Sequence, residues 1–254
     1  MAISRRIFLL GASALSAGCF GRSVRVDYSR DAGAKLRVPV VGQSWRYAKR
    51  DAYTGKLVET QIERITEVGE AITIQRQQQA IEAPDERQQS LGAKWLEAYG
   101  ERNTRSAELQ SEVQQPWGMI LVDPHWDLLQ VYRKPIPLWP TELRAGWSSF
   151  ITTNFKTPLS GWENSWQQTM QAHTWEKIRV PAGEFLTLRF TNRINFTHAD
   201  FSRMFCVREE TLWFAPEIGR WVSRRTSGTY YIADSIIDTP FDEGSYHWDL
   251  LDWS

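Results

Sequence analysis

The stretch "TLWFAPEIGRWVSR", residues 211–224, decides how the rest of the chain is read. An apolar arm runs into Pro216-Glu217-Ile218-Gly219 and a second apolar arm leaves it. Proline at an early turn position fixes φ, and glycine reaches the left-handed conformation that closes the loop, so the stretch predicts a β-hairpin. "RVPAGEF", residues 179–185, predicts a second hairpin with Pro181-Ala182-Gly183 at its tip. "DAYTGKL", residues 51–57, predicts a third that closes at Thr54-Gly55.

Between these turns the apolar residues recur with period two, the period of a strand with one face buried. "GQSWRYAK" puts Trp45 and Tyr47 on one face, and "EAITIQR" does the same for Ile72 and Ile74. "FLTLRFTN" sets Leu186, Leu188 and Phe190 against Thr187, Arg189 and Thr191. The expected fold is mainly β: an antiparallel curved sheet or half-barrel built of hairpins, with a small helical insertion. That insertion falls in the Gln-, Glu- and Arg-rich stretch 82–115. Its short helix is placed around Lys94 to Tyr99, and a long twisted hairpin or a mobile insertion fits the same composition.

"PWGMILVDPHWDLLQVYRKPIPLWP", residues 116–140, reads as strands at Met119–Val122 and Leu128–Tyr132 around an Asp123-Pro124 turn. Pro135, Pro137 and Pro140 lack a ladder donor, so "PIPLWP" is expected to be an extended crossing segment. "VGQSWRYAKRDAYTGK" in the first half echoes "AGWSSFITTNFKTPLSGWENSW" in the second. The echo suggests two similar halves, 38–135 and 141–238, within one domain spanning 38–254.

The first residues carry a different kind of information. In "SRRIFLLGASALSAGC", Arg5 and Arg6 precede an apolar run and then small residues before Cys19. This is the layout of a secretory signal peptide over residues 1–18, and the run is far shorter than the about 20 residues a spanning helix needs. The motif resembles a twin-arginine export signal through Ser4, Arg5, Arg6, Phe8 and Leu9, with Leu10 where that family carries lysine. "LSAGC" is similar to a bacterial lipobox, with Ser16 at the position where the family prefers leucine. That resemblance implies acylation of Cys19, palmitate-type chains and a membrane-anchored N-terminus. Phe20 is not the aspartate that implies inner-membrane retention in enteric lipoproteins, so the outer membrane is the expected destination. Without lipidation the product would be soluble in the periplasm. Residues 19–37 are mostly polar and read as lipidated N-terminus and tether.

"RVPAGEFLTLRF" followed by "EETLWFAPEIGRWVSR" resembles the paired hairpins of an uncharacterised exported lipoprotein family of proteobacteria. Its motifs specify hairpins rather than chemistry. By analogy, such sheets curl into the half-barrels of envelope lipoprotein carriers, which take acyl chains into an apolar concavity.

Composition narrows the function classes. The chain has 30 basic and 30 acidic residues, and losing Arg5 and Arg6 with the signal takes the basic count to 28. A near-neutral chain without a basic cluster gives no footprint for nucleic acid. Its two cysteines are Cys19 and Cys206; with Cys19 acylated no internal disulfide can form, and Cys206 reads as a buried inert thiol.

No nucleophile elbow, phosphate loop or helical histidine pair is present, so no catalytic motif, metal site or cofactor is expected. Asp123, His125 and Asp127 in "DPHWD" are weak catalytic candidates for an envelope hydrolase, although Asp-Pro is ordinary turn chemistry. Thirteen tryptophans are spread along the chain. Trp45, Trp166, Trp175 and Trp213 are the candidate liners of a concave binding face for a lipid or an envelope protein. The reading is a non-enzymatic binding or interaction module, with the hydrolase and a structural accessory subunit of an envelope complex as alternatives.

Overall fold

The computed structural model describes residues 34–80, 110–124, 129–158, 162–200, 202–233 and 239–254. The export signal, Cys19, the tether up to residue 33, the helix expected at Lys94–Tyr99, His125 and Asp127 lie outside them.

The described residues form strands joined by turns, with no helix among them. They are β1 (Ser44–Asp51), β2 (Leu57–Val68), β3 (Ile72–Ala80), β4 (Gln110–Gln114), β5 (Met119–Asp123), β6 (Gln130–Pro137) and β7 (Ser148–Lys156). Then follow β8 (Asn164–Val180), β9 (Gly183–Phe196), β10 (Arg203–Ala215), β11 (Arg220–Ile232), β12 (Phe241–Asp242) and β13 (Tyr246–Trp253). From β1 to β11 each strand pairs antiparallel with the next. β13 then pairs with β11 on one side and β1 on the other. The curved antiparallel sheet of hairpins is thus present, and it curls past a half-barrel to a closed ring of twelve strands. Closure removes the free edges that an open sheet would expose. The two-residue β12 pairs with β11 at Thr229 and Tyr230, just ahead of β13.

The three hairpin turns stand where the turn residues put them. Gly219 has φ of 66° and donates its N–H to Ala215 O, closing β10–β11. Gly55 has φ of 70° and donates to Asp51 O, closing β1–β2. Val180 pairs with Gly183 across the tip of β8–β9.

Because strands alternate direction, the connections sort to two ends. At the first end lie the approach to β1, the turns at 69–71, 115–118, 181–182 and 216–219, and the C-terminal Ser254. At the opposite end lie the β1–β2 turn and the connections after β3, β5, β7, β9 and β11.

The first end is filled with aromatics. Trp45, Tyr47, Trp139, Trp175, Phe214 and Trp221 join aliphatic residues such as Ile65, Ile74, Leu188, Val222 and Leu250 in one buried cluster. Tyr47 stacks on Trp221 and Trp139 on Phe214, with centroids 3.8 and 4.7 Å apart. A second cluster around Ile120, Tyr132, Phe155, Trp166, Ile194 and Phe196 fills the opposite half.

Two local expectations change. Pro135 and Pro137 belong to β6 rather than to a crossing segment, since Ile136 and Pro137 pair with Ile120 and Met119. The ladder to β7 stops at Tyr132, as the missing donors require, and Thr153 Oγ1 takes the Lys134 N–H instead. In β9 the alternation slips: Thr187 is fully buried and donates its hydroxyl to Glu176 O, while Leu186 is half-buried. Opposite them β8 carries a bulge between Ala172 and Trp175 that shifts its inward-facing set by one residue.

Candidate functional site

The lumen is the natural place to look for a ligand in a barrel, and here it holds charge. Arg220 of β11 is 1% exposed, and its guanidinium reaches across to β2 and β4. Its Nη1 and Nη2 donate to the two oxygens of Glu112 at 2.9 and 2.7 Å, and its Nε donates to Glu63 at 2.9 Å. Burial opposes the charge, but Glu112 and Glu63 outweigh it and hold the Arg220 pKa well above the ordinary guanidinium value. Gln61 Nε2 donates to Glu63, and Arg76 Nη2 donates to Gln61 at 2.6 Å. Arg224 is buried against Glu210, which also accepts from Asn192 Nδ2 at 3.0 Å. These groups cross-brace the ring between its two apolar clusters.

Little room remains among them. The interior gap bounded by Asp123, Gln168, Asn192, Glu210, Arg220 and Arg224 measures about 30 Å³, enough for one water.

The residues singled out from the sequence fall into this picture. Asp123 ends β5, is buried, and raises the affinity of Arg76 and Arg224 for their protons through its charge. It is therefore part of the lumenal charge balance, while His125 and Asp127 lie outside the described residues. Trp45, Trp166, Trp175 and Trp213 are all buried packing residues rather than an accessible lining. Trp45 donates Nε1–H to Ile218 O at 3.1 Å, Trp166 to Gln168 at 3.1 Å and Trp213 to Glu176 at 3.2 Å. For Trp45, Trp166 and Trp175 the physical reason is closure, since the inner face of a sheet that meets itself has no solvent to line. Trp213 lies on the opposite face of β10 from Leu212 and is covered by the Arg225 guanidinium, 5.4 Å from its ring.

Cys206 is buried in the second cluster, and burial pushes its thiol up to about 11, so it is inert as a nucleophile. Among the described residues no group of His, Cys, Asp and Glu side chains is arranged to hold a metal ion.

One cluster that sequence reading missed has the residue types of a hydrolase. Ser223 Oγ lies 3.1 Å from His247 Nε2 and donates to Asp249 Oδ1 at 3.0 Å. A catalytic serine passes its proton to the imidazole while the carboxylate orients the other ring nitrogen. Here Asp249 Oδ1 is 3.1 Å from the same nitrogen as the serine, so the carboxylate sits beside Nε2 and does not orient the far ring nitrogen. Ser223 and Asp249 are ladder partners, so the cluster clasps β11 to β13 where the ring closes.

The large concavities are on the outside. A groove of about 880 Å³ crosses the outer face of β8–β11 and is walled by the β1–β2 turn and the start of β13. Its floor includes Thr169, Thr191, Thr211 and Ser227, with Arg193 paired to Glu209 at 2.9 Å. Tyr53 stands at its rim, 76% exposed, and donates its hydroxyl to Asp242 at 2.9 Å. No single motif encodes this groove; it comes from alternate positions of four long strands. A second hollow of about 730 Å³ lies at the same end beside Trp162, Met204 and Phe205. Phe205 is 72% exposed and holds φ of 51° within a break in the β10–β11 register.

No family model and no curated protein matches the chain. Among solved structures, it is similar to a "putative exported protein with YmcC-like fold" from Bacteroides fragilis. That match has 13% identity and a TM-score of 0.50 over 87% of this chain and 99% of that one. It is also similar to a "putative lipoprotein" from Parabacteroides distasonis, with 12% identity and a TM-score of 0.46 over 85% and 96%. At such identity the likeness concerns the fold alone.

Proposed function

We propose that the protein is an exported, lipid-anchored barrel of the cell envelope that binds an envelope-protein partner through its outer groove and catalyses no reaction. The contrast between a filled lumen and an open groove carries the reading: about 30 Å³ inside against about 880 Å³ outside. An acyl chain has no place in a lumen that size, so carriage of lipid within the barrel is set aside. The groove is floored by hydroxyls and an Arg–Glu pair, which suit a polar protein surface better than a lipid tail. Export and anchoring are supported by Arg5, Arg6 and Cys19, and by the exported and lipoprotein descriptions of the fold's neighbours. The outer membrane, facing the periplasm, is the proposed location.

Native mass spectrometry of the protein purified from its own envelope tests the binding role. A co-purifying protein is expected with the wild type and absent with Thr191→Trp, which fills the groove from an outward-facing position. Co-purified lipid, or a partner indifferent to Thr191→Trp, overturns it. The anchor is tested separately: Cys19→Ala should move the protein out of the membrane fraction, and retention through washing refutes lipidation.

A second reading, an accessory subunit of an envelope complex, is favoured by one observation. Trp162, Met204, Phe205 and Ile232 leave apolar surface uncovered at the end of the barrel opposite the tether.

A further inference from the structure

We propose that the first end of the barrel docks on the bilayer surface, with Val38, Val40 and Val41 entering the interface. The proposal rests on the lipid-anchor reading and adds an orientation to it. Val38, Val40 and Val41 are 73%, 57% and 58% exposed, an uncommon run of bare aliphatic side chains on a soluble rim. They lie in the approach to β1, immediately after the tether. That approach is fastened down: Ala34 and Leu36 pack on the aromatic cluster, and Arg37 N–H donates to Pro216 O at 2.8 Å. The chain therefore leaves the barrel at this end and not along its side.

Length then limits the geometry. Cys19 and Ala34 are separated by fifteen peptide units. Even fully extended these span no more than about 50 Å. A strand of 13 residues such as β11 is itself about 43 Å long. A lipid at Cys19 thus keeps the first end close to the membrane, and bringing the opposite end down would consume nearly the whole tether. Tethering at short range raises the effective concentration of the surface, so even a few valines suffice to dock.

The flanking chemistry fits an interface. Trp253 is 36% exposed, with the Arg37 guanidinium 5.0 Å above its ring, and Lys35, two residues before Arg37, is exposed. Tryptophan with a neighbouring cation is the pairing found at headgroup depth. Val68, 41% exposed, adds a further aliphatic side chain from the end of β2.

The test uses the full lipidated chain in vesicles of phosphatidylethanolamine and phosphatidylglycerol. A polarity-sensitive fluorophore is placed at Val40→Cys or at Tyr53→Cys on the opposite end; Cys206 is buried and does not compete. Flotation with the vesicles reads the anchor, and quenching by spin-labelled lipid reads the docking. The expected result is flotation of both, with quenching at position 40 and none at 53. Replacing Val38 and Val41 by aspartate should abolish quenching at position 40 and leave flotation intact. Flotation without quenching at 40, or quenching at 53 instead, overturns the docking while the anchor stands. Crosslinking between copies at position 40, in place of quenching, assigns the patch to a dimer and overturns it as well. Absence of flotation sinks the anchor and the docking with it.

Discussion

Arg220→Met should be among the most damaging single substitutions in the barrel. The side chain is 1% exposed, as are both carboxylates it serves. Removing it leaves Glu63 and Glu112 facing one another without their cation, and takes the guanidinium away from the Trp45 ring 5.6 Å off. Breaking a buried ion pair from one side costs about 3–5 kcal/mol, because the orphaned charge keeps its desolvation penalty. For a domain of this size that is a fall in Tm of about 6–20 °C. The sign with pH follows from the same cause. In the variant, protonating a carboxylate relieves the uncompensated charge in the folded state, so the folded state binds more protons than the unfolded one near neutral pH. Stability of the variant then rises as pH falls, and the gap from wild type narrows from pH 7 toward pH 5. Adding Glu63→Gln and Glu112→Gln to Arg220→Met should recover most of the loss, since an uncharged set keeps the hydrogen-bonding shapes. Urea unfolding followed by tryptophan fluorescence at both pH values reads all of these. A single-variant cost under about 1 kcal/mol, or a gap that does not narrow in acid, would show that water reaches the triad and that the lumen is not sealed.

Three further outcomes can be checked on the same protein. Gly118→Ala should lower stability by about 1–3 kcal/mol, because φ is 88° there and a Cβ would sit 2.7 Å from the Trp139 ring; an unchanged unfolding midpoint contradicts that packing. Cys206, its thiol pushed up to about 11, should resist a disulfide reagent at pH 8 in the native state and react on denaturation; rapid native labelling would place it at the surface. Glu176 has its pKa lowered: burial opposes this, but donors from Thr174, Arg189 and Trp213 prevail. The stabilisation is therefore present above the unfolded carboxyl range and lost as pH falls, so Glu176→Gln should cost under about 1 kcal/mol at pH 7 and nothing in strong acid.

The hairpins were legible because their causes are local. Pro216 and Gly219 fix a turn within four residues, and the period-two runs on either side need no distant partner. Closure was not legible, since it depends on Trp45 meeting Trp253 from opposite ends of the sequence. The lumenal charges were hidden for a different reason. Glu63, Glu112, Arg220 and Arg224 are charged strand residues of the kind ordinarily read as solvent-facing, and alternation cannot distinguish a wet outer face from a sealed polar interior. The even spread of tryptophans likewise fits a binding face or a core until the sheet is known to close. The outer groove left no trace because its floor is made of ordinary outward threonines and serines drawn from four strands.

Closure also bears on where function can reside. An open half-barrel would have kept its inner face for a ligand, and the four indoles first considered as liners would have been free to contact it. In the closed ring those indoles are buried, Trp45, Trp175 and Trp213 in one cluster and Trp166 in the other, and the remaining interior is occupied by Arg220 with Glu63 and Glu112 and by Arg224 with Glu210. Opening that interior for a guest would separate buried charges from their partners, a cost of several kcal/mol for each pair broken. A molecule built this way gains rigidity at the expense of a cavity. Selectivity must then come from its outer surfaces, and these are unlike at the two ends: aliphatic next to the tether, aromatic and grooved away from it. If the proposed anchor holds, a barrel attached at one end presents the other at a defined height, which suits engagement of a partner better than transport of a cargo.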